Sequence, residues 1–338
     1  MASTNPNNAQ PVKKLALAGD LLSVARVPNT DRLFVGGYDG KIYHIDLSAD
    51  KPQPTSWTAH LSYVSGLVLA GKYLVSAGSD RKIAWWDAAT QKPVRALENA
   101  HGKWVRQIAL SPDGKTIASA GDDMVCRLWD AETGQAVRDF RGHPEKTRHH
   151  FRSKLFACAF SSDGKLLATA DQEGRIVVWE TATGKQAAVC EAPGFYEWDR
   201  SAEAGNGHSF GGVRSLAFSP DAKSLAAGGI DNHDAAIISG TAMVQVFDWQ
   251  TGQKTHDFKA GGNGVVENLR FQPRGEWLMG ALGAGAAGKL LFYDLGQKKV
   301  LKEVAAPMLV FGVAMNETGD VIDTVGRGQV VRWTLKAV

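Results

Sequence analysis

The stretch Trp104–His143, WVRQIALSPDGKTIASAGDDMVCRLWDAETGQAVRDFRGH, spells out one complete structural unit. WVRQIALS alternates apolar and polar residues, the period of a half-buried strand. SPDGK then supplies Pro, Asp and Gly where the chain must turn. TIASAG predicts a second strand, DDMV the next turn and VCRLWD a third strand. AETGQ turns again, and AVRDFRGH is a fourth strand ending in Gly-His. Four short antiparallel strands joined by tight turns make one twisted sheet. Such a sheet cannot bury both its faces alone, so it must stack on copies of itself.

The copies are present. Strand-like runs end at Ile45-Asp46, Trp86-Asp87, Trp129-Asp130, Trp179-Glu180, Phe247-Asp248, Tyr293-Asp294 and Trp333-Thr334, at intervals of 41, 43, 50, 68, 46 and 40 residues. A recurrence near forty residues is the period of a four-stranded propeller blade. No long helical periodicity occurs, so the chain is predicted to be all-β.

The 338 residues would suggest two domains by length, but a closed ring of repeats absorbs them in one. A 44% apolar and 22% charged content is that of an ordinary globular protein. The net charge of +3 argues against nucleic acid as the partner. Apolar runs are of strand length only, which argues against a membrane span. Residues 1–12 are polar and Asn-rich and are expected to form a disordered tail, with the ring occupying 13–338. Cys126, Cys158 and Cys190 are odd in number and lie in separate repeats, the pattern of reduced buried thiols in a cytoplasmic protein.

Gly-His, SPDGK, an ASAG-like strand and a Trp-Asp ending, recurring together, resemble the WD-repeat (WD40) β-propeller family. The likeness covers the chain after residue 12 and is best in the second and third repeats. It implies a seven-bladed β-propeller with four antiparallel strands per blade. It also implies closure of the ring by the N-terminal strand Lys13 to Gly19, which would complete the C-terminal blade and leave no open sheet edge. By the same resemblance, His60, Ser76, Asp80 and Trp86 form a buried tetrad, and His101, Ser119, Asp123 and Trp129 form another. The fourth repeat keeps Thr169 and Trp179 but has Glu173 where Asp is expected. A Ser, His and Asp could instead suggest a hydrolytic triad. Recurrence in successive blades speaks against that, since an enzyme needs one site. The first, sixth and seventh repeats lack most of these residues and are expected to rely on apolar packing.

The G-x-G-x-x-G string in GALGAGAAGK (Gly280–Lys289) is followed by a strand rather than a helix. It is therefore read as a hairpin, and no cofactor is expected. The long intervals hold three insertions, at 143–154, 190–212 and 230–241. In the WD-repeat arrangement all three emerge on one face, around blades four and five. His149, His150, His208 and His233 with Asp231 and Asp234 lack a metal-ligand spacing, so no metal is expected. Basic residues Lys146, Arg148, Arg152 and Lys154 of one insertion could bind phosphate or nucleic acid. Against this, the next insertion carries Glu191, Glu197, Asp199 and Glu203, and the attraction of opposite charges on adjacent loops favours the two loops pairing with each other. Phe195, Tyr196, Trp198 and Phe210 are aromatic residues in a loop, a residue type that anchors interfaces.

Family alignment further puts Ser23, Ser65, Arg106, Phe156, Arg214, Glu267 and Phe311 around the central opening. This mixed rim suits a peptide. The expected function is a non-catalytic protein- or peptide-binding scaffold, monomeric by itself. Its partner surface is expected to comprise Arg106, Arg148, Arg152, Phe156, Phe195, Tyr196, Trp198, Phe210, Arg214 and Phe311. The alternative, a lactonase-like or metal-dependent hydrolase at the central opening, would need convergent acids or His, and the rim offers only Glu267.

Overall fold

The alternating runs of the sequence become strands whose two faces are both covered. The computed structural model describes residues 4–198, 209–234, 239–283 and 288–336. In chain order the first strands are β1 (Gln10–Arg26), β2 (Arg32–Gly37), β3 (Lys41–Asp46) and β4 (Thr55–Thr58). One four-stranded sheet follows from β5 (Val64–Ala70), β6 (Tyr73–Gly78), β7 (Ile83–Asp87) and β8 (Pro93–Leu97). The next has β9 (Val105–Leu110), β10 (Thr116–Gly121), β11 (Cys126–Asp130) and β12 (Ala136–Phe140). Then come β13 (Leu155–Phe160), β14 (Leu166–Asp171), β15 (Arg175–Glu180) and β16 (Gln186–Glu191). A two-stranded ribbon, β17 (Tyr196–Trp198) and β18 (Ser209–Gly211), interrupts the series. The fifth repeat forms β19 (Ser215–Phe218), β20 (Ser224–Asp234), β21 (Ser239–Asp248) and β22 (Gln253–Asn263). The sixth forms β23 (Val266–Phe271), β24 (Leu278–Leu282), β25 (Lys289–Asp294) and β26 (Lys299–Ala305). The chain ends with β27 (Val310–Met315) and β28 (Val321–Thr334).

The expectation of seven blades is corrected: six blade sheets build the ring, five of four strands and one of six. The six-stranded sheet runs β27-β28-β1-β2-β3-β4, so the first and seventh repeats share one sheet. The physical reason lies in two long strands. β1 pairs through Gln10–Ala16 with Thr334–Gln329 of β28, and through Leu21–Arg26 with Gly37–Leu33 of β2. One continuous strand thus takes part in two ladders, its first half with β28 and its second half with β2, and so joins them in one sheet. The shared sheet contributes two inner strands, β1 and β27. With β5, β9, β13, β19 and β23 they surround the central channel.

The expected disordered tail is folded where it is described. Pro6–Asn8 makes a 3-10 turn, Asn5 N–H donates to Leu335 O (3.3 Å), and the buried Thr4 hydroxyl reaches Glu276 (3.4 Å).

The core lies between sheets. Trp85 of β7 packs with Val105, Ile108 and Trp129 of the next sheet, and Phe34 of β2 packs with Leu67 and Trp86. At the shared sheet Leu21, Leu33 and Val35 meet Val325 and Val330. Each sheet thus buries its faces on its neighbours, the quasi-one-dimensional packing of a repeat protein. The SPDGK turn also repeats. Ser111 Oγ donates to Asp113 (2.6 Å) ahead of Gly114 at φ 72°, and Ser161, Asp163 and Gly164 at φ 70° do the same.

Candidate functional site

His60 Nδ1 lies 2.9 Å from Asp80 and Nε2 lies 2.8 Å from Ser76 Oγ, while Trp86 Nε1–H donates to the same Oγ at 2.9 Å. His101, Asp123, Ser119 and Trp129 repeat this chain at 2.9, 2.7 and 2.8 Å. With the carboxylate ionised, Nδ1 carries the proton, Ser donates to Nε2 and Trp donates to Ser, so every polar atom of the chain is used. A third set was not read from the sequence: His143 Nδ1 to Asp171 (2.8 Å), Nε2 to Thr169 Oγ1 (2.8 Å) and Trp179 to Thr169 (2.9 Å). The acid sits two residues after Thr169, not four. Glu173, which occupies the expected position, instead accepts from Arg148 N–H (3.0 Å). The Gly142-His143 pair was the available signal. The seventh repeat departs from expectation as well, since Asp323 there forms a buried ion cluster with Arg26 and Arg332.

The tetrads hold loops. Asp80 accepts from Leu61 N–H and Asp123 from Gly102 N–H, both at 2.9 Å, which fixes the segments carrying Tyr63 and Trp104. Burial alone would raise the Asp123 carboxyl. The His101 ring, Arg127 and the Gly102 N–H outweigh it and hold the group well below the usual carboxylate range. Asp123→Ala is expected to cost about 1–3 kcal/mol, because His101 and Arg127 lose their acceptor. Asp39→Ala, at an exposed carboxylate bonded to Tyr43 and Lys41, should cost less than about 1 kcal/mol. The Asp123 contribution is complete above the unfolded carboxyl's pKa of about 3.9 and fades as pH falls through the lower folded value. Urea melts at neutral pH should therefore separate wild type from Asp123→Ala, and the gap should close in strong acid. Equal losses for the two variants would contradict this role.

All seven rim positions, Ser23, Ser65, Arg106, Phe156, Arg214, Glu267 and Phe311, line one central cavity of about 330 Å³. They come from the seven inner strands or the residue just before one. Arg106 grips Asp122 in a two-pronged pair, Nε at 2.7 Å and Nη2 at 2.6 Å. Phe156 is buried between two guanidinium groups, Arg214 at 3.9 Å and Arg106 at 5.6 Å from its ring centre. Gly212, at φ +105°, lets the chain pass this ring, since a Cβ there would stand 2.8 Å from Phe156. Burial pushes the Glu267 carboxyl up, although Arg214 draws it down. Burial likewise lowers Arg214, with Arg106 adding to the effect.

Outward from the cavity runs an arc of rings. Trp104 lies 4.9 Å from the Arg106 guanidinium and meets Tyr63 edge-on at 5.9 Å; Tyr63 stacks on Tyr38 at 3.9 Å. Tyr38 is 51% exposed and Trp104, which lines the cavity, 44%. Loops from a sheet's second to third strand, and from its fourth strand to the next sheet, leave on the same side in an up-and-down ladder. The arc and the insertions therefore share a face.

The insertions are more structural than expected. Tyr196 is buried, stacked on His149 at 5.7 Å with Arg148 5.0 Å from its ring centre, and Phe195 is fully buried among residues of the fourth and fifth repeats. Both are withdrawn from the surface where the sequence reading put them, because aromatic side chains on adjoining loops bury more area against each other than against water. Within the third insertion, residues 230–234 and 239–241 lengthen β20 and β21, paired as far as Asp234 and Ser239, while 235–238 lie outside the described residues. Arg152 stays exposed and Phe311 half-buried. The backbone of Trp198 and Phe210 pairs β17 with β18, while their side chains lie outside the described residues, as do His208, Asp199 and Glu203. The Gly-rich string at 280–289 joins β24 to β25, with 284–287 outside the described residues. Among the described residues no group of three or more His, Cys, Asp or Glu is placed to hold a metal.

Comparison with known proteins finds the WD domain, G-beta repeat, at residues 91–130, 134–180 and 203–233. Rat (Rattus norvegicus) apoptotic protease-activating factor 1 is 27% identical over 230 residues, 62% of this chain and 17% of that protein. The chain thus aligns with less than a fifth of that relative's length.

Proposed function

Starting from a chain that carries WD-domain repeats, we propose that it is a non-catalytic scaffold that binds a protein or peptide on its insertion-bearing face, at the mouth of the central channel. WD-repeat propellers are in general protein-interaction scaffolds. The observation that carries the reading is the arc from Tyr38 through Tyr63, Trp104, Arg106 and Phe156 to Arg214. It sets the exposed rings of Tyr38 and Trp104 and the half-buried Tyr63 beside Arg106, the buried Phe156 and Arg214, aromatic and Arg side chains of the types that dominate interface energies. Exposed rings in contact beside an opening mark a binding surface more than a solvated one. Phe311 and the exposed Arg152 border the same face. The enzyme alternative draws less support: of the two lining carboxylates, Asp122 is tied to Arg106, and among the described residues no His lines the cavity. The rat relative is named for activating a protease, a protein acting on a protein, and that activity belongs to a much longer chain. The three free, buried thiols support a reducing, cytoplasmic setting.

Pull-down with purified wild type and with Tyr38→Ala/Trp104→Ala, followed by mass spectrometry of what is recovered, tests the surface. Specific partners should be lost from the variant while its melting temperature stays within a few degrees, as for partly exposed positions. Recovery of the same partners by both proteins would place the working surface elsewhere.

A further inference from the structure

The channel mouth holds more positive charge than its own carboxylates balance. Arg81, Lys103, Arg106, Lys154, Arg214 and Arg270 line the cavity and its outer lip, against Asp122 and Glu267. The chain's whole net charge is +3, so this excess is local and not a general basic character. Arg106 is the one paired by Asp122. Among the described residues Arg81, Lys103, Lys154, Arg214 and Arg270 form no ion pair, while Arg26, Arg127, Arg148, Arg175 and Arg332 elsewhere do. The Arg214 guanidinium carbon lies 3.9 Å from the Phe156 ring centre, and its buried Nε has no hydrogen-bond partner among the described residues. A guanidinium held against a ring with a donor left over is suited to receive a planar or tetrahedral oxyanion. Lys154, half-buried beside it, is lowered by burial and by the nearby Arg106 and Arg214 charges, a repulsion that an anion would relieve.

We propose that the channel mouth binds an oxyanion presented by a peptide, held by Arg214, Lys154 and Lys103, with the neighbouring apolar residue of that peptide laid on Trp104. The shared chemistry is a phosphate or a carboxylate on a protein side chain. A nucleic acid fits less well, because the cations converge on one opening and do not track across a face as backbone phosphates require. The inference rests on the mouth being the partner surface.

The test is calorimetric titration of the whole protein with short peptides of one leucine-flanked sequence, differing only in a central phosphoserine, aspartate or lysine. The phosphoserine peptide should bind, more weakly as salt rises, and inorganic phosphate should compete with it. Binding of the aspartate peptide as well would show that a carboxylate suffices; its failure would assign the site to phosphate. Lys103→Glu/Lys154→Glu should weaken binding by about tenfold or more, whereas Lys51→Glu, an exposed lysine away from the mouth, should not. If Lys154→Glu disturbs folding, Arg81→Glu/Lys103→Glu, at two exposed positions, carries the same expectation. The proposal is overturned if neither anionic peptide binds, if the lysine peptide binds equally, or if the charge reversals change nothing. Tighter binding of a single-stranded oligonucleotide than of either peptide overturns it too. Loss of protein partners from Tyr38→Ala/Trp104→Ala without any oxyanion binding would leave the scaffold standing and remove only this chemistry.

Discussion

Removing residues 1–18 is expected to abolish the stable monomer. The first half of β1 pairs Gln10–Ala16 with Thr334–Gln329 and supplies six of the seven pairs between β1 and β28 that make the first and seventh repeats one sheet among the described residues. Its loss strips six paired positions from β28 and takes Leu15 and Leu17 from their cluster around Val325 and Val330. It also frees Leu335 O from Asn5 and breaks the Lys13 Nζ bond to Leu47 O at 2.8 Å. At about 1 kcal/mol for each backbone hydrogen bond the loss is on the order of 5 kcal/mol, as large as the whole stability of many domains. The bared edge of β28 then offers unpaired N–H and C=O groups to another molecule. Size-exclusion chromatography and thermal melting should show aggregation and a much lower transition. A truncated protein that runs as a monomer and melts like the parent would refute this account of ring closure.

Asp323→Ala should be the most damaging single substitution at the same seam. Asp323 has no exposed side-chain surface. It accepts from Arg332 Nε at 2.7 Å and Nη2 at 3.1 Å, and it also pairs with Arg26. Arg332 and Arg26 are themselves mostly buried, and Arg26 Nε already lacks a hydrogen-bond partner among the described residues. Removing the buried carboxylate shared by two buried guanidinium groups leaves them facing only the half-exposed Asp31, and breaking such a buried pair costs about 3–5 kcal/mol. Asp31, 46% exposed and paired with Arg332 from outside, should cost less than about 1 kcal/mol when replaced by Ala. Urea denaturation with an unchanged m-value decides between them; an Asp323→Ala loss no larger than that of Asp31→Ala would show that the cluster does not hold the seam.

These expectations separate what each level of description contributes. The repeat period, the strand alternation and the Pro-Asp-Gly turns are local properties, so the all-β class and the four-strand unit were legible in the sequence. The His60 and His101 tetrads were legible for the same reason, because they recur at fixed offsets. The His143 set was not, since its acid comes from Asp171 through a different turn and no offset rule reaches it. The blade count failed at one place, the shared sheet, because nothing local tells whether β1 ends at Gly19 or runs on from its pairing with β28 to pair with β2. The seam's ion cluster was equally hidden: Arg26 and Asp323 are 297 residues apart, and only ring closure brings them together. The rim residues could be placed on the inner strands from repeat position. That two arginines lie against Phe156, that Tyr196 is buried against Arg148 and His149, and that five of the mouth's six cations form no ion pair among the described residues depended on how loops from different repeats pack. Sequence by itself determined the unit and its turns, since these follow from short-range sterics and hydrogen bonding. Tertiary structure alone decided the sheet count, the seam and the charge balance of the mouth, since those depend on contacts between residues far apart in the chain.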